Sequence, residues 1–100
     1  MSQDWTAVET ELLKFMDDCK EVLSPNQITG ALHYFNVGEY EMAFEALIRT
    51  LYEKGLYPSG FDFGEWKQTA LKFELDVLPS FGDEFWSAFL IWGEKFNDAE

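Results

Sequence analysis

Between Gly38 and Gly55, the segment GEYEMAFEALIRTLYEKG contains no proline and no internal glycine, and its apolar residues recur every three or four positions. Projected at about 100° per residue, Tyr40, Ala43, Phe44, Leu47, Ile48 and Leu51 fall on one stripe. A strand cannot present that stripe, because its faces alternate at every second residue. The spacing therefore predicts a helix from Glu39 to Lys54, stopped by Gly55, with one face committed to a core. The rest of the chain has to supply what covers that face.

Four further segments can do so. Trp5, Val8, Leu12, Phe15, Met16, Cys19 and Leu23 repeat at three and four, which predicts a helix from Trp5 to Leu23 with Glu11, Lys14, Asp17, Asp18 and Glu21 turned to water. SPNQ at 24–27 has the form of a capping box with proline at the first helical position. It opens a short helix carrying Ile28, Ala31, Leu32 and Phe35, which NVG at 36–38 ends. After the YPSG loop at 57–60, a fourth helix is expected from near Asp62, with Phe63, Trp66, Ala70, Phe73 and Val77 at helical spacing. KFELDVLP at 72–79 also alternates like a strand, but a lone strand would have no pairing partner here. Pro79 and Gly82 bracket the last turn before a helix from about Asp83 to Phe96. That helix is apolar on two sides, with Phe85, Ala88, Phe89, Trp92 and Phe96 on one and Trp86 and Leu90 on the other. It is either central or offers one side to a partner. One hundred residues suffice for one core and not for two, so residues 1–100 are expected to form a single all-α bundle of about five short helices.

Candidates for chemistry are few. Cys19 is the only cysteine, which rules out an internal disulfide, and it lies on the apolar side of its helix. His33 is the only histidine, too few for a carboxylate-bundle metal site built from pairs such as Asp17 with Glu21 or Glu41 with Glu45. DFG at 62–64 lacks every other element of a kinase and reads as a helix start. No enzymatic activity, cofactor or metal is expected. The opening MSQDWTAVETE has no basic stretch leading into an apolar run, and FWSAFLIW at 85–92 is too short to span a bilayer, so the cytoplasm is the expected location.

Charge is the strongest global signal. Nineteen acids face seven bases, for a net charge of −12, and the excess is even along the chain: nine acids and three bases in residues 1–50, ten and four in 51–100. Such a field repels nucleic acid and anionic membrane and attracts basic proteins. Glu39 suits a helix N-terminus and Glu45 can pair with Arg49 at i, i+4. Glu41 and Glu45 form a like-charge i, i+4 pair, and Glu41 projects to the edge of the apolar stripe, where an acid wants a donor from another helix or another protein. Flanked by Tyr40, Tyr52 and Tyr57, it has the makings of a surface that grips Lys and Arg.

The run Gly38-Glu39-Tyr40, followed by Ala43, Glu45, Leu47, Leu51, Tyr52-Glu53 and a closing Gly55, resembles the central helix of MafI-type immunity proteins and related contact-dependent growth inhibition immunity proteins of bacterial toxin systems. The resemblance spans roughly residues 25–60 and implies a small cytoplasmic helical protein that neutralises a cognate toxin. Its partner would be the toxin's C-terminal domain, and a basic nuclease fits the charge. The expected toxin-binding residues are Asp17, Asp18 and Glu21 on the first helix, Glu41 and Glu45 on the third, Tyr57 as an aromatic anchor in an exposed loop, and Asp62 and Glu65 after it. The alternative is an acidic adaptor, secretion chaperone or nucleic-acid mimic. The interspersed Lys14, Lys20 and Lys54 weigh against a mimic, which needs carboxylates at phosphate-like spacing along one face.

Overall fold

The computed structural model describes residues 5–77, 79, 82 and 84–98. They form α1 (Trp5–Cys19), α2 (Pro25–Asn36), α3 (Tyr40–Lys54), α4 (Phe63–Lys72) and α5 (Phe85–Asp98), with no strand among the described residues. The amphipathic stripe of α3 buries Ala43, Phe44, Leu47, Ile48 and Leu51, and α3 packs against all four other helices. It is the post around which the bundle is built. The radius of gyration, 12.8 Å, matches the value of about 13 Å expected of one compact body of this length.

Local signals set most of the boundaries. Ser24 accepts a hydrogen bond from the Gln27 backbone and the Gln27 side chain accepts one from the Ser24 backbone, so two otherwise orphaned donors are satisfied ahead of Pro25. Gly55 caps α3 in the left-handed region at φ 67°, and its N–H together with that of Leu56 closes the last turn. Asp62 caps α4 by accepting from the Glu65 backbone. That bond accounts for the aspartate of DFG.

Two boundaries differ from expectation. α1 ends at Cys19, four residues early. A tight turn follows in which Lys20 bonds back to Asp17 and Val22 to Cys19, and it still delivers Leu23 into the core. The extended backbone of Ser24 and the proline after it leave no room for a continuous helix into α2. α4 ends at Lys72, and Glu74 adopts φ 57°. The left-handed residue redirects the chain so that Leu75, fully buried, enters the core, while Val77 is 65% exposed. The helical spacing of Phe73 and Val77 therefore fails after Phe73, and the strand-like alternation of this segment makes no strand among the described residues. The expected start of the last helix at Asp83 lies outside the described residues; α5 is helical from Phe85.

The core is unusually aromatic. Trp66 stacks on Phe15 at 4.5 Å between ring centroids and meets Phe44, Phe61 and Trp92 at 5.4, 5.8 and 6.1 Å. It thereby joins α1, α3, α4 and α5 through one side chain. Gly93 makes the α4–α5 contact possible: a β-carbon there would come within 2.2 Å of the Phe63 ring. Gly30, by contrast, sits inside α2 with nothing within 4 Å of where its β-carbon would be. A helix-interior glycine costs about 0.5–1 kcal/mol relative to alanine, and no contact within this chain accounts for it.

The buried Cys19 thiol is pushed up to about 12, mainly by burial and secondarily by the neighbouring Asp18 carboxylate. The hydroxyls of Tyr40, Tyr52 and Tyr57 are also raised, led by the hydrogen bond to Glu9 in Tyr40 and by burial in the other two. A group whose folded value lies above its unfolded one stabilises the fold below the unfolded value and loses that contribution as pH rises through the folded one. Stability should therefore fall between pH 9 and about 12, with Cys19 alone removing up to about 1.4 kcal/mol for each unit. Urea midpoints across that range test this, and Cys19→Ala should flatten the profile; identical slopes in the two proteins would refute the assignment to the thiol.

Candidate interaction surface

The eight residues expected to contact a partner do not form one patch. Asp18 is half-buried, and its carbonyl accepts from the Ser59 backbone at 3.1 Å, which ties the end of α1 to the loop before α4. Lys14 reaches Glu65 at 3.8 Å a little further along. These links bring the second half of α1 to the start of α4, so Asp18, Asp62 and Glu65 lie along one seam. Asp17, in the last turn of α1, and Glu21, which lies in the turn after the helix and not on it as expected, are both exposed, and Asp17 pairs with Lys20 at 3.2 Å. Glu41 is half-buried in the first turn of α3, and no bond among the described residues joins it to that seam.

Two expectations are corrected. Glu45 is 0% exposed, inside the core on the buried face of α3, and cannot touch a partner. Every fully buried side-chain oxygen or nitrogen among the described residues has a hydrogen-bond partner, so this carboxylate is satisfied internally. Helical projection at i, i+4 from Glu41 places it beside the stripe, but α3 is packed against all four other helices and the position is covered completely. Tyr57 is not a free anchor either. Its hydroxyl donates to the Trp92 carbonyl at 2.6 Å, its ring stacks on Trp92 at 5.1 Å, and Trp92 Nε1 donates to the Leu56 carbonyl at 2.8 Å. This reciprocal latch fixes the loop to α5. Pro58, which suggested an exposed loop tip, is itself buried.

Other charged residues hold helices together. The Tyr40 hydroxyl donates to Glu9 at 2.5 Å, joining α3 to α1. The buried Thr69 hydroxyl donates to Glu11, which also meets Lys72 at 3.7 Å. Arg49 lies 3.7 Å from both Glu53 and Glu84. A threonine on the inward stripe of α4, three residues after Trp66, was the one sequence sign that a polar partner must come from elsewhere.

These pairs decide the electrostatics of the surface. Lys14, Lys20, Arg49 and Lys72 are all matched by the chain's own acids. Glu21, Glu39, Glu74, Asp76 and Glu94 are exposed, and none forms an ion pair among the described residues. The negative excess is thus carried by solvated carboxylates distributed around the bundle.

Recesses interrupt that surface, among them two that run between pairs of helices. One, of about 750 Å³, lies between α1 and α4 and is lined by both of the cross-helix pairs, Lys14 with Glu65 and Glu11 with Lys72. The other, of about 430 Å³, lies between α2 and α3, with Gly30, Ala31, Ala46 and Thr50 among its lining residues and Tyr34 beside them.

No group of three or more His, Cys, Asp or Glu side chains among the described residues could hold a metal ion. Cys19 is buried as a neutral thiol, and His33 is exposed on α2 with its ring edge-on to Tyr34 at 5.8 Å. No described helix is long and apolar enough to cross a membrane. No protein-family model, curated protein or solved structure matches this chain.

Proposed function

We propose that this is a cytoplasmic immunity protein of a bacterial toxin system, without catalytic activity of its own, that binds the C-terminal domain of a cognate toxin, a basic nuclease. The observation that carries the reading is the surplus of solvated carboxylates left after the paired bases have been matched internally. A surface of this kind raises the encounter rate with a basic protein and offers charge-assisted hydrogen bonds to its Lys and Arg. The resemblance of residues 25–60 to immunity proteins, and the small helical fold, agree with it.

Inhibition would proceed by occlusion. A nuclease site must be cationic to hold phosphate, so an acidic protein is drawn to the same residues and, once seated, keeps RNA or DNA out. Of the expected contact residues, Asp17, Asp18, Glu21, Glu41, Asp62 and Glu65 remain candidates, because each retains some exposure. Titration against the C-terminal domain of the protein encoded immediately upstream is the test, with binding and nuclease activity followed at low and high salt. Stoichiometric binding that abolishes activity and weakens with salt is expected. Absence of binding would reject the reading in favour of an acidic adaptor, a secretion chaperone or a nucleic-acid mimic.

A further inference from the structure

The apolar stripe of α1 does not account for Leu13, which follows Leu12 and is 48% exposed. With Met16 and Lys20 it keeps the spacing i, i+3, i+7 along one flank of α1 and the turn after it. Pro25, Ile28 and Leu32 keep the same spacing along α2. These six residues line two adjoining recesses, of about 470 and 370 Å³, which share Lys20 and Ile28 and so make one groove between α1 and α2. Both helices pack on α3 and only weakly on each other, which leaves these flanks without a partner.

Shape and polarity define what the groove admits. Met16 and Leu23 are buried at its floor, while Leu13, Pro25, Ile28 and Leu32 keep part of their apolar surface in water. Two helical ridges with a trough between them, about two turns long, are the form that receives the ridge of a third helix. An extended segment would bring backbone groups that nothing here satisfies, since the one hydroxyl in the lining, that of Thr29, already donates to the Pro25 carbonyl. The charge of the groove runs against that of the molecule. In a chain of nineteen acids and seven bases, the lining holds Lys14 and Lys20 against Asp17 alone, and the half beside the first turn of α2 has Lys20 as its only charged residue. Lys14 and Lys20 meet Glu65 and Asp17 at 3.8 and 3.2 Å, but all four side chains are more than half exposed. Exposed pairs of this kind are weak, and an ammonium has three donors, so both lysines can still bind a further carboxylate.

We propose that the α1–α2 groove docks an amphipathic helix of a partner protein, apolar along one stripe and acidic at its edges. The stripe covers Leu13, Ile28 and Leu32, and the acidic edges meet Lys14 and Lys20 in charge-assisted hydrogen bonds. Apart from Asp17, this surface is distinct from the solvated carboxylates on which the immunity reading rests, and it takes a partner of the opposite charge. A second copy of the chain is a poorer occupant, because its own net charge of −12 opposes its approach.

The test is to pan a phage-displayed library of helices, with leucine fixed at i, i+3 and i+7 and the flanking positions randomised, against the intact protein. A protein of net charge −12 draws basic sequences by default, so selection of Glu and Asp at the edges would be the signature of this groove. A synthetic peptide of the selected sequence should then bind Lys20→Glu and Leu13→Gln at least tenfold more weakly than the parent protein. Both positions are exposed, so melting temperatures should hold, and Lys67→Glu, exposed on α4 and outside the groove, should bind as the parent does. Basic edges, an empty selection, or peptides indifferent to Lys20→Glu and Leu13→Gln would each overturn the proposal. Oleate binding that these two variants abolish, with no helix selected, would give the groove to an anionic lipid instead, and self-association of the parent protein that Leu13→Gln abolishes would give it to a second copy.

Discussion

Trp66→Ala should lower stability by about 3–5 kcal/mol, the range for removing a fully buried tryptophan. This indole is 2% exposed and touches aromatic rings from α1, α3 and α5 as well as the Phe61 ring before its own helix, so no single neighbour can shift to fill the space. In a domain of this size each kcal/mol corresponds to roughly 4–8 °C in melting temperature. Against a typical total of about 5–15 kcal/mol, the variant stands at the margin of folding. Urea unfolding followed by far-ultraviolet circular dichroism measures the loss, and Trp66→Phe should recover much of it. A deficit under about 1 kcal/mol for the alanine variant would mean that Trp66 is not the hub described.

The second large effect concerns Glu45, where fold and function make opposite demands. Were this carboxylate an interface residue, Glu45→Ala would leave stability intact and reduce affinity. Buried at 0% exposure and hydrogen-bonded inside the bundle, it should do the reverse. Each internal donor left without its acceptor costs about 1–3 kcal/mol, and the vacated volume adds to that. On the proposed function, the variant held well below its midpoint should bind the proposed toxin partner as the parent protein would. Glu41→Gln, on a half-exposed position one turn earlier, should leave the melting temperature nearly unchanged. Glu45→Ala with unaltered stability and weakened binding would place the residue back at the surface.

Much of the architecture was legible because it is written in short-range chemistry. The capping box at Ser24 and Gln27, the glycine stop at Gly55 and the α3 stripe each depend on residues within a turn or two of one another. The end of α4 was not, because it depends on Glu74 entering the left-handed region so that Leu75 can reach the core, a choice made by tertiary packing against local propensity. The candidate surface was less legible than the fold. Helical projection shows which way Glu45 points but not that the fold covers it, and the tyrosine before Pro58 gives no hint of the Trp92 carbonyl, 35 residues away, that its hydroxyl engages.

The position of α3 has a kinetic consequence. Its most extensive partner is α2, joined to it by a three-residue connection, whereas α5 joins α3 only after the chain has closed a loop of some thirty residues. Loop-closure entropy is smallest for the first pairing and larger for the second, so the α2–α3 hairpin is the natural nucleus, with α5 and its two tryptophans arriving late. Destabilising changes in the hairpin should then act mainly by slowing folding, and those in α5 mainly by hastening unfolding. The groove between α2 and α3 would thus be formed on the part of the chain that orders first.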